Sequence, residues 1–259
     1  MTLFDEQKEE GQMIKRAVVL AGGMGMQMMP YTKVVAKEML LLGCRPVLEH
    51  VVDELVGYGI EEIFVVVSPG KGCVKEYFGD SVIYVTQEEA GGMVQALMLV
   101  EEMVKGGSFV LALGDTVVLG TEGMKSPISR VEYFCEPHKG DARCMGVVVE
   151  QIEIGRASDQ GIMRPFVWNG FCFRADMAVE KPSFDECPRP PYAIAGRYVF
   201  NDTIFDLMRR SGGNDLTEAI QLGISEEYVV WCAPLVEGEK RFDIGTFPSY
   251  IEAFREITK

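Results

Sequence analysis

The sequence predicts an α/β fold, a three-layer αβα sandwich built on a mixed, mostly parallel sheet. Three observations support this prediction. Continuous apolar runs, typical of strands covered on both faces, alternate with amphipathic segments in the first half of the chain. A glycine-rich loop follows the first apolar run directly. Longer strand-like segments lie after Gly146, and we expect them to complete the sheet.

Strands and helices alternate in the N-terminal half. An apolar run predicts the first strand at Ala17–Leu20. Apolar residues three and four positions apart predict a helix at Pro46–Tyr58, with Pro46 suited to its first turn and Gly59 to its end. The elements expected next are strand Glu62–Val67, helix Lys71–Phe78, strand Ser81–Val85, helix Gly92–Val104 and strand Ser108–Leu113.

Longer strands are expected to dominate the C-terminal half. The predicted strands are Gly146–Gln151, Gly161–Val167, Gly170–Ala178 and Tyr192–Phe200. The predicted helices are Asp202–Arg210, Leu216–Gly223 and Phe247–Ile257. Because no repeat or linker interrupts the pattern, we expect one domain at residues 16–259, with halves at 16–120 and 121–259. An acidic extension is expected at residues 1–15.

Composition and charge exclude several classes of protein. The chain has 259 residues and 47% hydrophobic content, which is normal for a packed globular protein. Its net charge of −14 argues against a nucleic-acid partner, because such proteins carry basic surfaces. No apolar run approaches the length of a membrane span, and the acidic start is unlike a signal peptide. Seven cysteines without a C-x-x-C pair predict a reducing, cytoplasmic location.

The loop after the first predicted strand is a candidate phosphate site. Gly22, Gly23 and Gly25 would let the backbone approach a ligand at the carboxyl edge of the sheet, and Lys37 could then meet a phosphate. Met28 replaces the third glycine of a dinucleotide fingerprint, and the chain has no Gly-Lys-Ser/Thr for a P-loop. An ordinary loop with a solvated lysine remains the alternative.

Two aspartates lie where a metal could bind. Asp115 follows the predicted strand Ser108–Leu113, and Asp243 precedes the last predicted helix. Carboxylate oxygens at the ligand edge of a sheet can hold Mg²⁺. A simple Gly-Asp turn and capping of the helix by Thr246 are the alternatives.

Two more segments contain candidate binding residues. The side-chain amide of Gln87 has a donor and an acceptor, so it can match the imide edge of uracil or thymine, and Gly92 would let the chain pass close to the base. Glu180 and Lys181 precede Pro182, which predicts an extended backbone at Lys181. A glycine-rich helix start and a solvated turn are the alternatives.

Together these segments resemble the sugar-1-phosphate nucleotidyltransferase family. The family signature L-x-x-A-G-x-G-T-R-x-x-P is similar to residues 20–30, and P-K-x-M-L is similar to residues 36–40. Met26 and Gln27 stand where the family has Thr/Ser and Arg, and Ala36 stands where it has Pro. The resemblance runs from Arg16 to about Ala253.

The resemblance implies a Rossmann-like nucleotidyltransferase fold of the GT-A-like kind, with a nucleotide-binding half at 16–120 and a sugar-binding half at 121–259. Segments 37–40, 195–200 and 216–217 look most like the bacterial UTP–glucose-1-phosphate uridylyltransferases. The thymidylyltransferases are the close alternative. The implied substrates are small molecules, UTP or dTTP and a sugar-1-phosphate, and the implied cofactor is Mg²⁺.

The resemblance also implies roles for individual residues. The expected catalytic residues are Lys37, Lys181, Asp115 and Gln27, and the expected Mg²⁺ ligands are Asp115 and Asp243. The expected nucleotide-binding residues are Ala21, Gly22, Gly23, Gly25, Gln87 and Gly92. The expected sugar-binding residues are Gly161, Glu180 and Gly196. Because Gln27 lacks the charge of an arginine, a catalytically impaired regulatory homologue that binds nucleotide sugars is the second hypothesis. The sequence leaves open whether the chain forms a homo-oligomer.

Overall fold

The computed structural model describes residues 14–120, 126–135 and 143–258. Residues 1–13 of the expected acidic extension lie outside this described part. In chain order, the strands are β1 (Arg16–Ala21), β2 (Leu41–Leu42), β3 (Arg45–Pro46), β4 (Glu62–Val67), β5 (Ile83–Thr86), β6 (Phe109–Leu113), β7 (Thr116–Leu119), β8 (Cys144–Gln151), β9 (Gly161–Asn169), β10 (Cys172–Glu180), β11 (Tyr192–Phe200), β12 (Val229–Pro234) and β13 (Lys240–Asp243). The helices are α1 (Val47–Tyr58), α2 (Gly72–Phe78), α3 (Gly92–Met98), α4 (Glu101–Val104), α5 (Pro127–Cys135), α6 (Thr203–Ser211), α7 (Leu216–Ser225) and α8 (Phe247–Ile257).

Within the described ranges, nine strands form the central sheet, in the order β5-β4-β1-β6-β11-β8-β12-β10-β9. Strands β5, β4, β1 and β6 are parallel to their neighbours, as are β8 and β12. Strands β10 and β11 run against the other strands of the sheet. The prediction of a mixed, mostly parallel sheet is therefore confirmed.

Helices cover both faces of this sheet. Along β1, Val18 packs into one hydrophobic cluster, whereas Ala17 and Val19 pack into another on the opposite face. Helices α3, α6 and α7 contribute to the first cluster, and α1, α2 and α5 contribute to the second. Since β1 is buried on both sides, its sequence is apolar without alternation. The predicted three-layer sandwich is confirmed.

Helix α1 illustrates how the local sequence sets an element. Its apolar residues Leu48, Val51 and Leu55 are fully buried against the sheet. Pro46 precedes the first turn, and Gly59 ends the helix with a left-handed φ of 111° while its N–H donates to the carbonyls of the last turn. Both boundary predictions are confirmed.

Several elements differ from the sequence-based expectation. The helix expected at Gly92–Val104 is divided into α3 and α4, because Val100 leaves helical geometry with φ −106° and ψ 5°. Helix α5 and strand β12 were not expected. Strands β7 and β13 were also not expected, and they pair with each other outside the central sheet. No helix in the described ranges is long and apolar enough to cross a membrane.

Candidate active site

The glycine loop leaves β1 at the carboxyl edge of the sheet. Met26–Met28 forms a single 3₁₀ turn, and Gly25 before it has a left-handed φ of 63°. The Thr32 hydroxyl donates to the carbonyl of Gly25 at 2.9 Å. A Cβ atom at Gly25 would lie 2.6 Å from Thr32 Cγ2. Both the backbone angle and the available space therefore require glycine at this position.

Lys37 lies against this loop. A Cβ atom at Gly23 would come within 3.3 Å of Lys37 Cε and Nζ. The ammonium of Lys37 donates a hydrogen bond to the carboxylate of Asp115. Burial lowers the pKa of Lys37, but the charges of Asp115, Glu38 and Asp243 outweigh that effect and raise it. Lys37 is therefore a firmly protonated cation beside the loop.

The two predicted metal ligands lie on adjacent segments. Asp115 follows Gly114, whose N–H donates to the carbonyl of Leu20 in β1 at 2.9 Å. Asp243 ends β13 opposite Thr116 in β7, and the Ile244 N–H donates to the Asp115 carbonyl at 2.8 Å. The structure thus brings Asp115 and Asp243 together at the carboxyl edge of β6.

The charges of these aspartates act on each other. Desolvation in the cleft raises the pKa of Asp243, and the negative charge of Asp115 raises it further. The Gly245 N–H donates to Asp243 Oδ1 at 2.8 Å, so Asp243 also stabilises its own turn. Thr246 and Ser249 form a capping box at α8, so helix capping does not depend on Asp243. Both carboxylates remain suited to a cation.

Gln87 lies beside the glycine loop, as expected. Its N–H continues the sheet by donating to Val67 O at 2.8 Å. Its buried side-chain Nε2 donates to Gly92 O at 3.2 Å and to Gln95 Oε1 at 3.1 Å. A Cβ atom at Gly22 would lie 2.9 Å from Gln87 Oε1. Since Nε2 is committed to two acceptors, the Oε1 acceptor faces the loop.

A second group of residues forms at the paired ends of β9 and β10. Gly161 lies opposite Glu180 in the strand register. The Thr217 hydroxyl, at the start of α7, donates to Glu180 Oε2 at 2.6 Å. A Cβ atom at Gly161 would lie 2.5 Å from Thr217 Oγ1 and 3.0 Å from Glu180 Oε2. The structure brings these three residues together, and the contact of Thr217 was not expected.

Lys181 lies at the same end of the molecule, but its backbone differs from the prediction. Its φ is 46°, so the expected extended conformation is wrong. Strand β10 ends at Glu180, and the Lys181 N–H turns back to donate to Gln160 O at 3.0 Å. The following proline favours an extended backbone at this residue, so the turn of the chain toward Gln160 overrides that local preference. The Lys181 ammonium lies 3.5 Å from Glu180 Oε1 and is exposed.

Strand β11 connects the two groups. Gly196 has a φ of 70° where the pairing of β11 with β8 is irregular. A Cβ atom at Gly196 would lie 3.3 Å from the Leu113 side chain, two residues before Asp115. A Cβ atom at Gly161 would lie 3.0 Å from Ile194 Cδ1. The Gly161–Glu180 pair and the end of β6 therefore contact β11 only two residues apart.

Two buried cations lie near the site in contacts that the sequence does not predict. Arg197 is fully buried and donates to Glu54 Oε2, at 3.0 and 2.7 Å, and to Thr116 O at 2.9 Å. Lys71 lies beneath the glycine loop and pairs with Glu38 at 2.8 Å. Both sets of contacts join distant parts of the sequence, so no local motif indicates them.

Exposed apolar side chains surround Gln27. Gln27 is exposed, and the neighbouring side chains of Met24 and Met26 are 62% and 64% exposed. Tyr31 stacks on Phe247 of α8, with ring centroids 5.0 Å apart. The side chain at the position of the family's arginine is therefore directed to solvent and carries no charge.

Comparisons with known proteins identify the family of this chain. The family model described as nucleotidyl transferase matches residues 16–259. UTP–glucose-1-phosphate uridylyltransferase of Haemophilus ducreyi is 28% identical over an alignment of 285 positions, gaps included, which covers 94% of this chain and 92% of the relative. UTP–glucose-1-phosphate uridylyltransferase 1 of Staphylococcus saprophyticus is 29% identical over an alignment of 265 positions, gaps included, which covers 90% of this chain and 88% of the relative.

Solved structures show the same fold. A UDP-glucose pyrophosphorylase complexed with UDP-glucose has a TM-score of 0.84 and 22% identity, with 95% of this chain and 99% of that chain covered. A UTP-bound UGPase from Acinetobacter baumannii has a TM-score of 0.83 and 24% identity, with 94% and 93% covered. The resemblance inferred from the sequence is confirmed, and the chain belongs to the nucleotidyl transferase family.

Proposed function

We propose that this protein transfers the uridylyl group of UTP to glucose-1-phosphate, giving UDP-glucose and pyrophosphate. The relatives with matching length carry the name of this activity. One observation supports it most: the end of β6, two residues before Asp115, and the Gly161–Glu180 pair contact β11 only two residues apart. A nucleotide phosphate and a sugar phosphate could therefore meet across β11.

The reaction that we propose is an in-line displacement at phosphorus. A phosphate oxygen of glucose-1-phosphate attacks the α-phosphorus of UTP, a P–O bond forms, the bond to the β-phosphate oxygen breaks, and pyrophosphate leaves. Such chemistry depends on positioning and charge neutralisation rather than on a covalent nucleophile. Lys37 would hold the triphosphate, and Lys181 would hold the attacking phosphate.

The remaining site residues would bind the rest of the two substrates. The nucleotide-binding residues that we propose are Ala21, Gly22, Gly23, Gly25, Gln87 and Gly92. For the sugar, we propose Gly161, Glu180 and Gly196. The Oε1 acceptor of Gln87 suits the N–H donor on the imide edge of uracil or thymine. A cytosine ring presents an unprotonated nitrogen there and would not be bound in the same way.

The two aspartates fit Mg²⁺. Among the described residues, no cluster of three or more His, Cys, Asp or Glu side chains could hold a metal ion. A pair of carboxylates suits Mg²⁺, since this ion usually takes one or two carboxylates and completes its shell with water and phosphate oxygens. Asp115 and Asp243 would hold it, and the bound ion would supply positive charge to the phosphate oxygens.

A second candidate function is supported by the loop itself. Gln27 is exposed and uncharged, next to the exposed Met24 and Met26. A relative that binds nucleotide sugars and regulates an active enzyme would not need a cation at this position. For either function we propose a cytoplasmic location, which the seven free cysteine thiols support.

Pyrophosphate release separates these proposals. The protein is incubated with Mg²⁺, glucose-1-phosphate and one nucleotide at a time: UTP, dTTP, ATP or GTP. We expect release with UTP and much less with the purine nucleotides. Preference for dTTP would assign the chain to the thymidylyltransferases. If the protein binds UTP or UDP-glucose but turns over no sugar phosphate, the enzymatic function is refuted and the regulatory function is supported.

A further inference from the structure

A buried ammonium lies beneath the glycine loop and has no role in the reaction proposed above. Lys71 immediately precedes α2, and its side chain is only 9% exposed. Its Nζ donates to Ala21 O at 2.5 Å, to Gly23 O at 2.7 Å and to Glu38 Oε2 at 2.8 Å. An ammonium has three donors, and these contacts use all of them.

Stability alone is a weak reason for such a group. Burying a charge is costly unless it is paired and hydrogen-bonded, and apolar residues of similar volume often serve equally well. Glu38, the partner of Lys71, is itself 1% exposed. The buried pair joins the glycine loop to the segment that carries Lys37.

The contacts of Lys71 fix the direction of the loop amides. In a trans peptide, the C=O group and the following N–H group point in opposite directions. The peptide bonds after Ala21 and Gly23 are both trans. Since both carbonyls point at Lys71, the N–H groups of Gly22 and Met24 point away from it. Backbone N–H groups turned to one side form a concavity that binds anions.

We propose that Lys71 is a positioning residue, which orients the amides of Gly22 and Met24 toward the triphosphate of the bound nucleotide. This inference rests on the proposed function for the identity of the nucleotide. Lys71 itself does not contact the ligand in this arrangement. Through Glu38 it also sets the position of Lys37 relative to the loop.

The test compares variants that separate positioning from stability. Lys71→Met with Glu38→Gln removes both buried charges and leaves neither unpaired. Lys75→Met is the matched control, because Lys75 lies in α2, the helix that Lys71 precedes, and its ammonium lies over the Tyr84 ring, 5.6 Å from the ring centroid. Calorimetry measures binding of UTP, inorganic tripolyphosphate and uridine, and thermal melting follows the fold.

We expect the double variant to melt near the wild-type temperature but to bind UTP and tripolyphosphate at least ~10-fold more weakly. Uridine affinity and the KM for glucose-1-phosphate should stay unchanged, as should all properties of Lys75→Met. Unchanged UTP binding by a folded double variant would overturn the inference and leave the proposed function intact.

A second variant keeps the inference testable if the double variant fails to fold. If the double variant does not fold, Lys71→Arg keeps the charge but cannot place three donors at one point. It should bind UTP at least ~3-fold more weakly than wild type, and equal binding would contradict the positioning role of Lys71.

The wild-type protein separates this inference from the proposed function. If it binds tripolyphosphate but no nucleoside triphosphate, the proposed function is refuted and the loop is still an anion site. If wild type binds neither tripolyphosphate nor any nucleoside triphosphate, both the positioning role of Lys71 and the proposed function are refuted.

Discussion

Lys37 donates a hydrogen bond to Asp115 across the cleft between the glycine loop and the end of β6. The cation proposed for the triphosphate and the carboxylate proposed for Mg²⁺ are therefore paired with each other. Asp115 and Asp243 carry like charges beside this cation. Binding of a magnesium–nucleotide complex would give each of these three groups a new partner of opposite charge. The Lys37–Asp115 ion pair could therefore separate as the ligand binds.

The first prediction concerns the electrostatic coupling of these residues. Asp115→Asn removes a negative charge that raises both pKa values, so the pKa of Lys37 and the pKa of Asp243 should both fall. NMR titration of the lysine and aspartate side chains measures the two shifts. Asp53→Asn, at an exposed carboxylate of α1 paired with Arg45, is the control and should change neither value. An unchanged pKa of Asp243 in Asp115→Asn would show that the two carboxylates do not interact.

The second prediction concerns the metal. Asp243→Asn should raise the Mg²⁺ concentration needed for half-maximal pyrophosphate release by ~10-fold or more, since one of the two proposed carboxylate ligands is lost. Asp176→Asn is the control, because Asp176 is paired with Arg164 on the β9–β10 hairpin. The same Mg²⁺ dependence in wild type and Asp243→Asn would remove Asp243 from the metal site.

The third prediction concerns the sugar end of the site. Gly161→Ala places a methyl group 2.5 Å from Thr217 Oγ1 and 3.0 Å from Glu180 Oε2, so this pair must move. The KM for glucose-1-phosphate should rise by ~10-fold or more, while UTP binding by calorimetry stays the same. Gly155→Ala is the matched control, because no atom lies within 4 Å of its added Cβ. If the two alanine variants behave alike, Gly161 does not shape the sugar site.

The fourth prediction concerns the support of the strand ends. Arg197→Met leaves Glu54 without its buried partner and should lower the free energy of unfolding by about 3–5 kcal/mol. Arg164→Met breaks a largely exposed pair with Asp176 and should cost less than about 1 kcal/mol. Urea denaturation measures both values. Equal losses would mean that the Arg197–Glu54 pair is no more important than a surface pair.

These cases show which features a sequence can reveal. The apolar spacing of α1 and the Pro46 and Gly59 that flank it are local features of the sequence. The helix and its end at Gly59 were therefore predicted correctly. The pairing of β7 with β13 joins strands of four residues each, too short for a clear period. Their ladder nevertheless places Asp243 beside Asp115.

The part of the site that depends on the order of strands in the sheet could be predicted from the sequence. Gln87, Gly92 and the glycine loop come together because parallel strands end at one edge of the sheet. Arg197 and Glu54 are 143 residues apart, and Lys71 and Gly23 are 48 apart. Neither contact follows a local pattern. The left-handed backbone of Lys181 likewise depends on its hydrogen bond to Gln160 in a neighbouring segment.

The last prediction concerns Gln27. An arginine there would offer a charged, bidentate donor to the triphosphate, and loss of one transition-state donor typically costs ~10²–10³ in turnover. Gln27 is exposed, so the longer side chain has room. Gln27→Arg should therefore raise kcat by up to ~10²–10³ and change UTP binding less, since the charge matters most in the transition state. Gln27→Met is the control and should not raise kcat. If wild type is already fast and Gln27→Arg slows it, another group has replaced the arginine. If neither form turns over any sugar phosphate while UDP-glucose still binds, the regulatory function takes the place of the enzymatic one.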